Sequence, residues 1–398
     1  MIAYIAYPTS LALQSANALQ TFTTLRELRA RRPDTVALIP RWGREPSRFS
    51  ELGAVHLPRP AIGKLSRLHK STLLYYLEHS AFALMTAAYL WPQRHKLEAV
   101  YVRQVICAAW WAGVFGPLLD VPVIYEAHDL ESRNPSRAKE PWATGLLHLI
   151  DRVTLTRTAA VASLTEDFRR YLATIGWRDP AEVAVIPDAY DAQIFGPQDR
   201  AACRAALGLP AEGRLIAYAG MTFAHRWLDG LLEAVAQVRR THPDLALLLV
   251  GGRDAERAAL TERAAALGMP LGGARPPIYV LEPRPQSEVV HYLGAADVLA
   301  IPDTVTDLTA SPLKLFEYLA LGQPLVLPQI AALAEIVPDR LSFSFPRRDP
   351  GALIAALERA LAAADDMQAA AARHALAQDH TYGRRAERII ALVEQVRP

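Results

Sequence analysis

Short apolar runs and longer amphipathic stretches alternate along the whole 398-residue chain. A brief apolar run closed by proline, glycine or a polar cluster reads as a buried strand. Such runs predict strands at Ile2–Ala6, Thr35–Ile39, Val55–Leu57, Ala99–Val102, Val123–Tyr125, Ala159–Ser163 and Val183–Ile186. They recur at Leu215–Tyr218, Ala246–Val250, Ile278–Leu281, Val298–Ile301, Leu325–Leu327 and Ser342–Phe345. Between them the apolar spacing becomes helical, as in Ser15–Arg31, Trp142–Arg157, Leu228–Thr241, Ala255–Leu267 and Gln286–Ala295. Alanine-rich helical stretches follow at Ala352–Ala363 and Met367–Gln378, and a last one at Arg384–Val396. Regular alternation of this kind builds parallel sheets from βαβ units, so the predicted class is α/β.

The length suits two domains, and a hydrophobic content of 51% supplies two cores. A polar, turn-rich stretch from Asp188 to Pro197 marks the expected boundary. A net charge of +2 does not advertise nucleic-acid binding. Cys107 and Cys203 belong to no metal or redox spacing, which suits a reducing compartment. Met1–Pro8 lacks a basic leader and reads as a first strand. The apolar run around Ala81–Trp91 is too short to cross a bilayer. Together these predict a soluble cytoplasmic protein. Lys64, Arg67, His69 and Lys70 open a stretch rich in leucine and aromatic residues that runs to Trp91. Basic residues beside apolar ones fit peripheral contact with the inner membrane face, and more commonly a surface helix with one core face.

Candidate chemistry concentrates after Val298–Ile301, in the run from Ser311 to Pro324. Ser311 reads as an N-cap and Pro312 as the first helical residue. Free N–H groups at such a start bind anions. Ser311, Lys314 and Glu317 recur every third residue and share one helix face. Lys314 would add positive charge beside a diphosphate. Glu317 lies about 9 Å further along, at roughly 1.5 Å per residue, where a carboxylate can accept from ribose hydroxyls. The same residues also fit an ordinary helix that packs Leu313, Phe316 and Leu319 inward.

This run resembles the nucleotide-sugar signature of family 4 glycosyltransferases, retaining enzymes of the GT-B fold. Ser311, Pro312, Lys314, Glu317, Gly322 and Pro324 fall in register with it. Glu317 matches the second signature glutamate, which binds the donor ribose in that family; the first glutamate is Thr309 here. The resemblance extends to other segments. Gly220, His225 and Arg226 match a loop whose lysine grips the diphosphate, with Arg226 at the lysine position and Met221 where the family has arginine. Arginine binds phosphate through a bidentate fork. The Glu126-Ala127-His128-Asp129 run matches a strand-end sequence whose histidine faces the donor sugar, so His128 is a catalytic candidate. Gly251, after the strand ending at Val250, permits close backbone approach and is a donor-binding candidate, as are Glu282, Arg284, Thr309, Ser311, Leu313 and Leu315. Ser10 and Glu126 are acceptor-side candidates. Family members carry a glycine-rich loop after the first strand; here Pro8–Asn17 has no glycine, and Thr9, Ser10 and Ser15 offer hydroxyls instead.

The resemblance implies two Rossmann-like domains facing across a cleft, with the last helix packing back on the first domain. Residues 1–190 with 384–398 would form the acceptor-side domain, and 198–383 the nucleotide-sugar domain. The expected activity is retaining transfer from a nucleotide diphosphate sugar to a hydroxyl acceptor in glycan, glycolipid or glycosylated-metabolite synthesis. Arg226, Lys314 and the helix start would stabilise the leaving diphosphate, with no metal or cofactor expected. Two other readings fit the same residues: a GT-B epimerase acting on the nucleotide-sugar, and a catalytically weak binding or scaffold member.

Overall fold

The computed structural model describes residues 1–397 except 9, 14, 42–46, 60–71, 134–140, 274 and 305–306. Thr9 and the basic Lys64–Lys70 segment therefore lie outside the described residues. The chain divides into two compact units: Met1–Pro187 with Tyr382–Pro398, and Asp188–Thr381.

The first unit holds a seven-stranded parallel sheet. Its strands are β1 (Ile2–Ile5), β2 (Val36–Pro40), β3 (Val55–Leu57), β4 (Ala99–Val102), β5 (Val123–Ala127), β6 (Ala160–Ser163) and β7 (Val183–Val185), in the order β3-β2-β1-β4-β5-β6-β7. The second unit repeats the scheme with β8 (Leu215–Ala219), β9 (Ala246–Val250), β10 (Ile278–Leu281), β11 (Val298–Ala300), β12 (Leu325–Pro328) and β13 (Phe343–Phe345), ordered β10-β9-β8-β11-β12-β13. Each of the thirteen apolar runs read from the sequence forms one of these strands. In both sheets the chain reverses direction beside the first strand, between β1 and β4 and between β8 and β11. The crevice outside the carboxyl ends of such a strand pair is where open α/β sheets bind ligands.

The central strands are buried on both faces, which is why they read as continuous apolar runs, while the edge strands β3, β7, β10 and β13 are partly exposed. Alternate residues go to opposite cores. Ala217, Ala219 and Leu248 pack with Leu315, Phe316 and Leu319 on one face. Ile216, Tyr218, Leu247 and Leu249 pack with Leu231, Val235 and Leu357 on the other. In the first unit, Ile2, Tyr4 and Tyr101 share a core with Phe22 and Leu25 of the helix Ala16–Arg31. The C-terminal helix Tyr382–Val396 adds Ala386, Ile389 and Val393 to that same core.

The helix after β11 starts one position later than its sequence suggests. It spans Leu313–Leu321, with Pro312 as N-cap and Gly322 closing it in the left-handed region. Ser311 is not the cap. Its hydroxyl accepts the Asp188 N–H at 3.0 Å, a bond formed with residues far away in sequence.

Candidate active site

Three loops meet at the carboxyl edge of the second sheet. They follow β8 (residues 220–227), β11 (residues 301–312) and β13 (residues 346–349). β8 and β11 are hydrogen-bonded neighbours, so their loops converge at the reversal point. Gly220 leaves β8 at φ 132°, and a Cβ there would sit 2.8 Å from the Lys314 ammonium. Gly251, at φ 116°, passes so near the Gly220 carbonyl that a side chain could not be fitted. Gly220 thus permits a close approach of backbone to the Lys314 head group, and Gly251 a close approach to the Gly220 backbone.

Lys314 turns its Nζ over the Tyr218 ring, 3.7 Å from the centroid. Tyr218 is held in place by donating to the Met221 carbonyl at 2.5 Å. Arg226 Nε, Lys314 Nζ and His225 Nε2 are all shielded from solvent, and none has a hydrogen-bond partner among the described residues. Buried polar nitrogens normally find partners, so three together define a site built to receive acceptor atoms. Burial, reinforced by the Arg226 charge, pushes the Lys314 ammonium well below its usual range. Burial and the Arg226, Arg348 and Lys314 charges likewise lower His225, against the opposing pull of Asp303. The cluster is electropositive and short of counter-charge, which is the electrostatic complement of an anion.

Glu317 stands one helical turn beyond Lys314 and accepts from Gln286 Nε2 at 2.7 Å. Burial pushes its carboxyl up to about 7, although Lys314 and Gln286 pull the other way. Leu313 opens the helix, while the Leu315 N–H already donates to the Pro312 carbonyl at 2.9 Å, so that amide is taken. Thr309 is buried in the preceding loop. Glu282 and Arg284 lie past the end of β10 and form an exposed ion pair of 3.0 Å.

An arginine pair that the sequence reading did not single out completes this edge. Asp303 is fully buried and receives Arg347 Nε at 2.5 Å and Arg348 Nε at 2.8 Å. Arg348 takes a left-handed backbone at φ 59°. No local spacing links residues some forty positions apart, so only the tertiary structure reveals them. A small cavity of about 120 Å³ lies by the opposite ends of β8 and β9, at Leu215 and Ala246. Its Arg204 and Arg214 are engaged by Asp297, and it is remote from the cluster just described.

In the first unit, His128 follows β5 and borders a cavity of about 300 Å³ with Tyr7, Asn17, Tyr75, Gln104 and Asp129. The position is the reversal point between β1 and β4. Its Nε2 lies 2.8 Å from Glu126 Oε1 and 3.2 Å from an Arg103 nitrogen. Glu126, an acceptor-side candidate, does not line this cavity. It is 0% exposed and tied to Tyr101 at 2.5 Å, Arg103 at 2.9 Å and Arg385 at 2.7 Å. Burial alone would raise its carboxyl; Arg103, Arg385 and His128 reverse that and hold it well below the ordinary range. Glu126 thus contacts both Arg103 and His128 and is placed to orient them. In the glycine-free loop, Ser10 Oγ accepts the Ala12 N–H at 3.1 Å and Ser15 Oγ accepts the Ala18 N–H at 3.2 Å. Both hydroxyl oxygens are used as acceptors within their own turns.

Two family models match the chain. "Glycosyl transferase 4-like domain" covers residues 20–189, and "Glycosyl transferases group 1" covers residues 213–363. The chain belongs to the family 4-type glycosyltransferases. Among curated relatives it is 28% identical over 239 residues to D-inositol 3-phosphate glycosyltransferase of Segniliparus rotundus, covering 58% of this chain and 52% of that protein. The chain thus spans about half the length of the curated relatives it matches. Sucrose-phosphate synthase from Thermosynechococcus elongatus matches 99% of this chain and 98% of its own at TM-score 0.77 and 19% identity. Anabaena HepE, solved in complex with UDP and glucose, covers 99% of each chain at TM-score 0.71 and 15% identity. At these identities the structural matches establish the GT-B fold of this family 4-type chain.

Proposed function

We propose that this family 4-type chain moves a glycosyl group from a nucleotide diphosphate sugar to a hydroxyl acceptor with retention of configuration. The observation that carries the reading is the trio of buried, unpartnered nitrogens on His225, Arg226 and Lys314. A diphosphate would supply the acceptor oxygens they lack. Glu317, one turn along the same helix, would accept from the ribose hydroxyls. The relatives' names point the same way: glycosyl transfer in the Segniliparus protein, and UDP with glucose bound in the Anabaena structure.

Negative charge grows on the diphosphate as the glycosidic bond breaks. Fixed cations aimed at that charge stabilise the transition state without reorganising. Arg226 and Lys314 would do this here, so the chemistry is read as independent of a metal ion. Anion binding would also draw the Lys314 ammonium back toward its protonated form, since the diphosphate opposes the burial that depresses it. His128, oriented by Glu126 and Arg103, is read as the first unit's contribution to the reaction.

The test is a thermal-shift screen of nucleoside diphosphates followed by turnover with the matching sugar donors. A ligand that binds the folded state at one hundred times its dissociation constant adds about 2.7 kcal/mol of stability. Stabilisation by a nucleoside diphosphate, followed by transfer or hydrolysis of its sugar conjugate, supports the reading. Absence of stabilisation by every nucleoside diphosphate would overturn it.

A further inference from the structure

One face of the first unit is apolar at its exposed positions. Three helical segments build it: Thr72–Leu90 with its continuation Trp91–Lys96, then Val105–Leu119, read across its consecutive turns, then Thr144–Arg157. On the first, Leu73, Leu77 and Leu84 are exposed at helical spacing. On the second, Trp110, Val114 and Leu118 are exposed, and on the third Leu146 and Leu149, with Trp142 just ahead of it. Leu84, Leu118, Trp142 and Leu149 each keep more than half their surface in solvent, at 53%, 61%, 65% and 55%.

These side chains form one patch. Trp110 Nε1 donates to Ser80 Oγ at 2.9 Å, and Ser80 lies on the same helix face as Leu77 and Leu84. Gly113, beside Val114, abuts Val153, which lies one turn after Leu149 on the third helix. Apolar residues scattered singly over a surface need no explanation, but a contiguous apolar face marks an interaction site.

Within these helices only basic charge reaches solvent. The acidic residues of these helices, Glu78 and Asp151, are both buried. Lys96, Arg152 and Arg157 are exposed and Arg94 is half-buried, while Asp120, directly after the second segment, is the exposed acid beside Leu118. Arg94 stacks over Trp91 at 5.5 Å, leaving an indole and a guanidinium together at the rim. Exposed leucine and tryptophan, aromatic residues near helix ends, and a predominance of basic exposed charge are the combination that an anionic lipid surface complements.

We propose that this face docks on an anionic lipid bilayer, lying on the surface rather than crossing it. Among the described residues no helix is long and apolar enough to cross a membrane. The proposal stands apart from the donor reading, because none of these residues belongs to the anion cluster.

The experiment is cosedimentation of the full chain with vesicles of phosphatidylcholine alone and of phosphatidylcholine mixed with phosphatidylglycerol. The wild-type protein should bind the mixed vesicles in preference. The triple variant Leu84→Gln, Leu118→Gln, Leu149→Gln should lose at least about tenfold in partition, since each leucine offers several buried carbons. Because all three are exposed, its melting temperature should match the wild type. Arg152→Glu with Arg157→Glu should weaken binding to the mixed vesicles and leave the weak binding to neutral ones unchanged. Failure of the wild-type chain to bind either vesicle would overturn the proposal. So would triple-variant binding equal to wild type, with loss confined to Lys64→Gln, Arg67→Gln, Lys70→Gln. A dimer that the triple variant splits, with no vesicle binding, would assign the face to a second copy instead.

Discussion

The guanidinium of Arg385, on the C-terminal helix, lies 2.7 Å from the carboxylate of Glu126, at the end of β5. Arg385 is 1% exposed and also donates to the Ile186 carbonyl at 2.8 Å and the Pro187 carbonyl at 2.5 Å. The pair therefore fastens the last helix to the strand that carries His128. It also links the close of the first unit's sheet to the residues on which the candidate chemistry depends.

Removing Glu126 should consequently damage folding before it damages catalysis. Glu126→Ala strands Arg103 and Arg385 without their shared carboxylate, and breaking a buried pair costs about 3–5 kcal/mol. Glu126→Gln should cost less, because the amide can still accept. The folded carboxyl is held below its unfolded value, so its contribution is present above the ordinary carboxylate range and fades as pH falls through the depressed one. Chemical denaturation of both variants across acid pH checks this. A Glu126→Ala protein as stable as wild type would contradict the arrangement.

Glu317 should show the opposite balance. Its folded carboxyl is raised to about 7 from an ordinary 4.5. Between those values the folded state holds more protons than the unfolded one, so stability falls as pH rises through that window. Glu317→Gln removes the penalty and should stabilise the unliganded chain above pH 7 by on the order of 1–3 kcal/mol. The same change should weaken nucleotide binding or turnover by at least about tenfold, through loss of a charge-assisted contact. In the wild type, affinity should drop below about pH 7 as the carboxyl takes up its proton. Melting curves and titration calorimetry at two pH values separate these effects. Unchanged binding in a folded Glu317→Gln protein would remove the ribose role.

Much of the fold was legible because its central parallel strands are buried on both faces. Each is then a short uninterrupted apolar run, and Ala246–Val250 or Val298–Ala300 can be read without its neighbours. The candidate anion cluster could be proposed from sequence because Lys314 and Glu317 sit on one helix and Arg226 lies in the loop after β8. What stayed hidden was decided by contacts distant in sequence. Ser311 gives its oxygen to the Asp188 N–H, so the helix cap moves on by one residue. Glu126 looked like a strand-end ligand group, but Arg385 on the last helix turns it into a buried counter-charge. Asp303 with Arg347 and Arg348, and Gln286 on Glu317, pair across loops and helices that no local period connects.

Arg226→Ala should lower kcat more than it raises KM. The leaving diphosphate gains charge at the transition state, so a cation there contributes most at that point. Arg226→Lys should restore much of the rate, as a point charge can occupy the same place without the fork. Steady-state kinetics on the two variants give the split. A rise in KM alone would make Arg226 a uniform binding contact.

Turnover should continue in excess chelator. On the proposed reading, Arg226 and Lys314 would supply the fixed positive charge that the diphosphate needs. Activity lost in chelator and recovered with magnesium or manganese would refute the metal-independent reading.

His128 offers the sharpest separation, because it and the anion cluster belong to different units of the chain. His128 borders the cavity at the β1–β4 reversal and is held by Glu126 and Arg103. Arg226, Lys314 and Glu317 are all in the second unit. His128→Ala should therefore reduce turnover by about 10²–10⁴-fold, the usual contribution of a positioned acid–base or polar group. The dissociation constant for the bare nucleoside diphosphate should hardly move. Glu126 would keep Arg103 and Arg385 as partners, so stability should change little. Calorimetry with the nucleotide and single-turnover kinetics with the donor measure the two quantities on one preparation. If affinity and turnover fell together in a folded protein, the nucleotide would depend on the first unit as well. If neither moved, His128 would be a strand-end residue held by Glu126, and the catalytic contribution of the first unit would have to come from other groups lining that cavity.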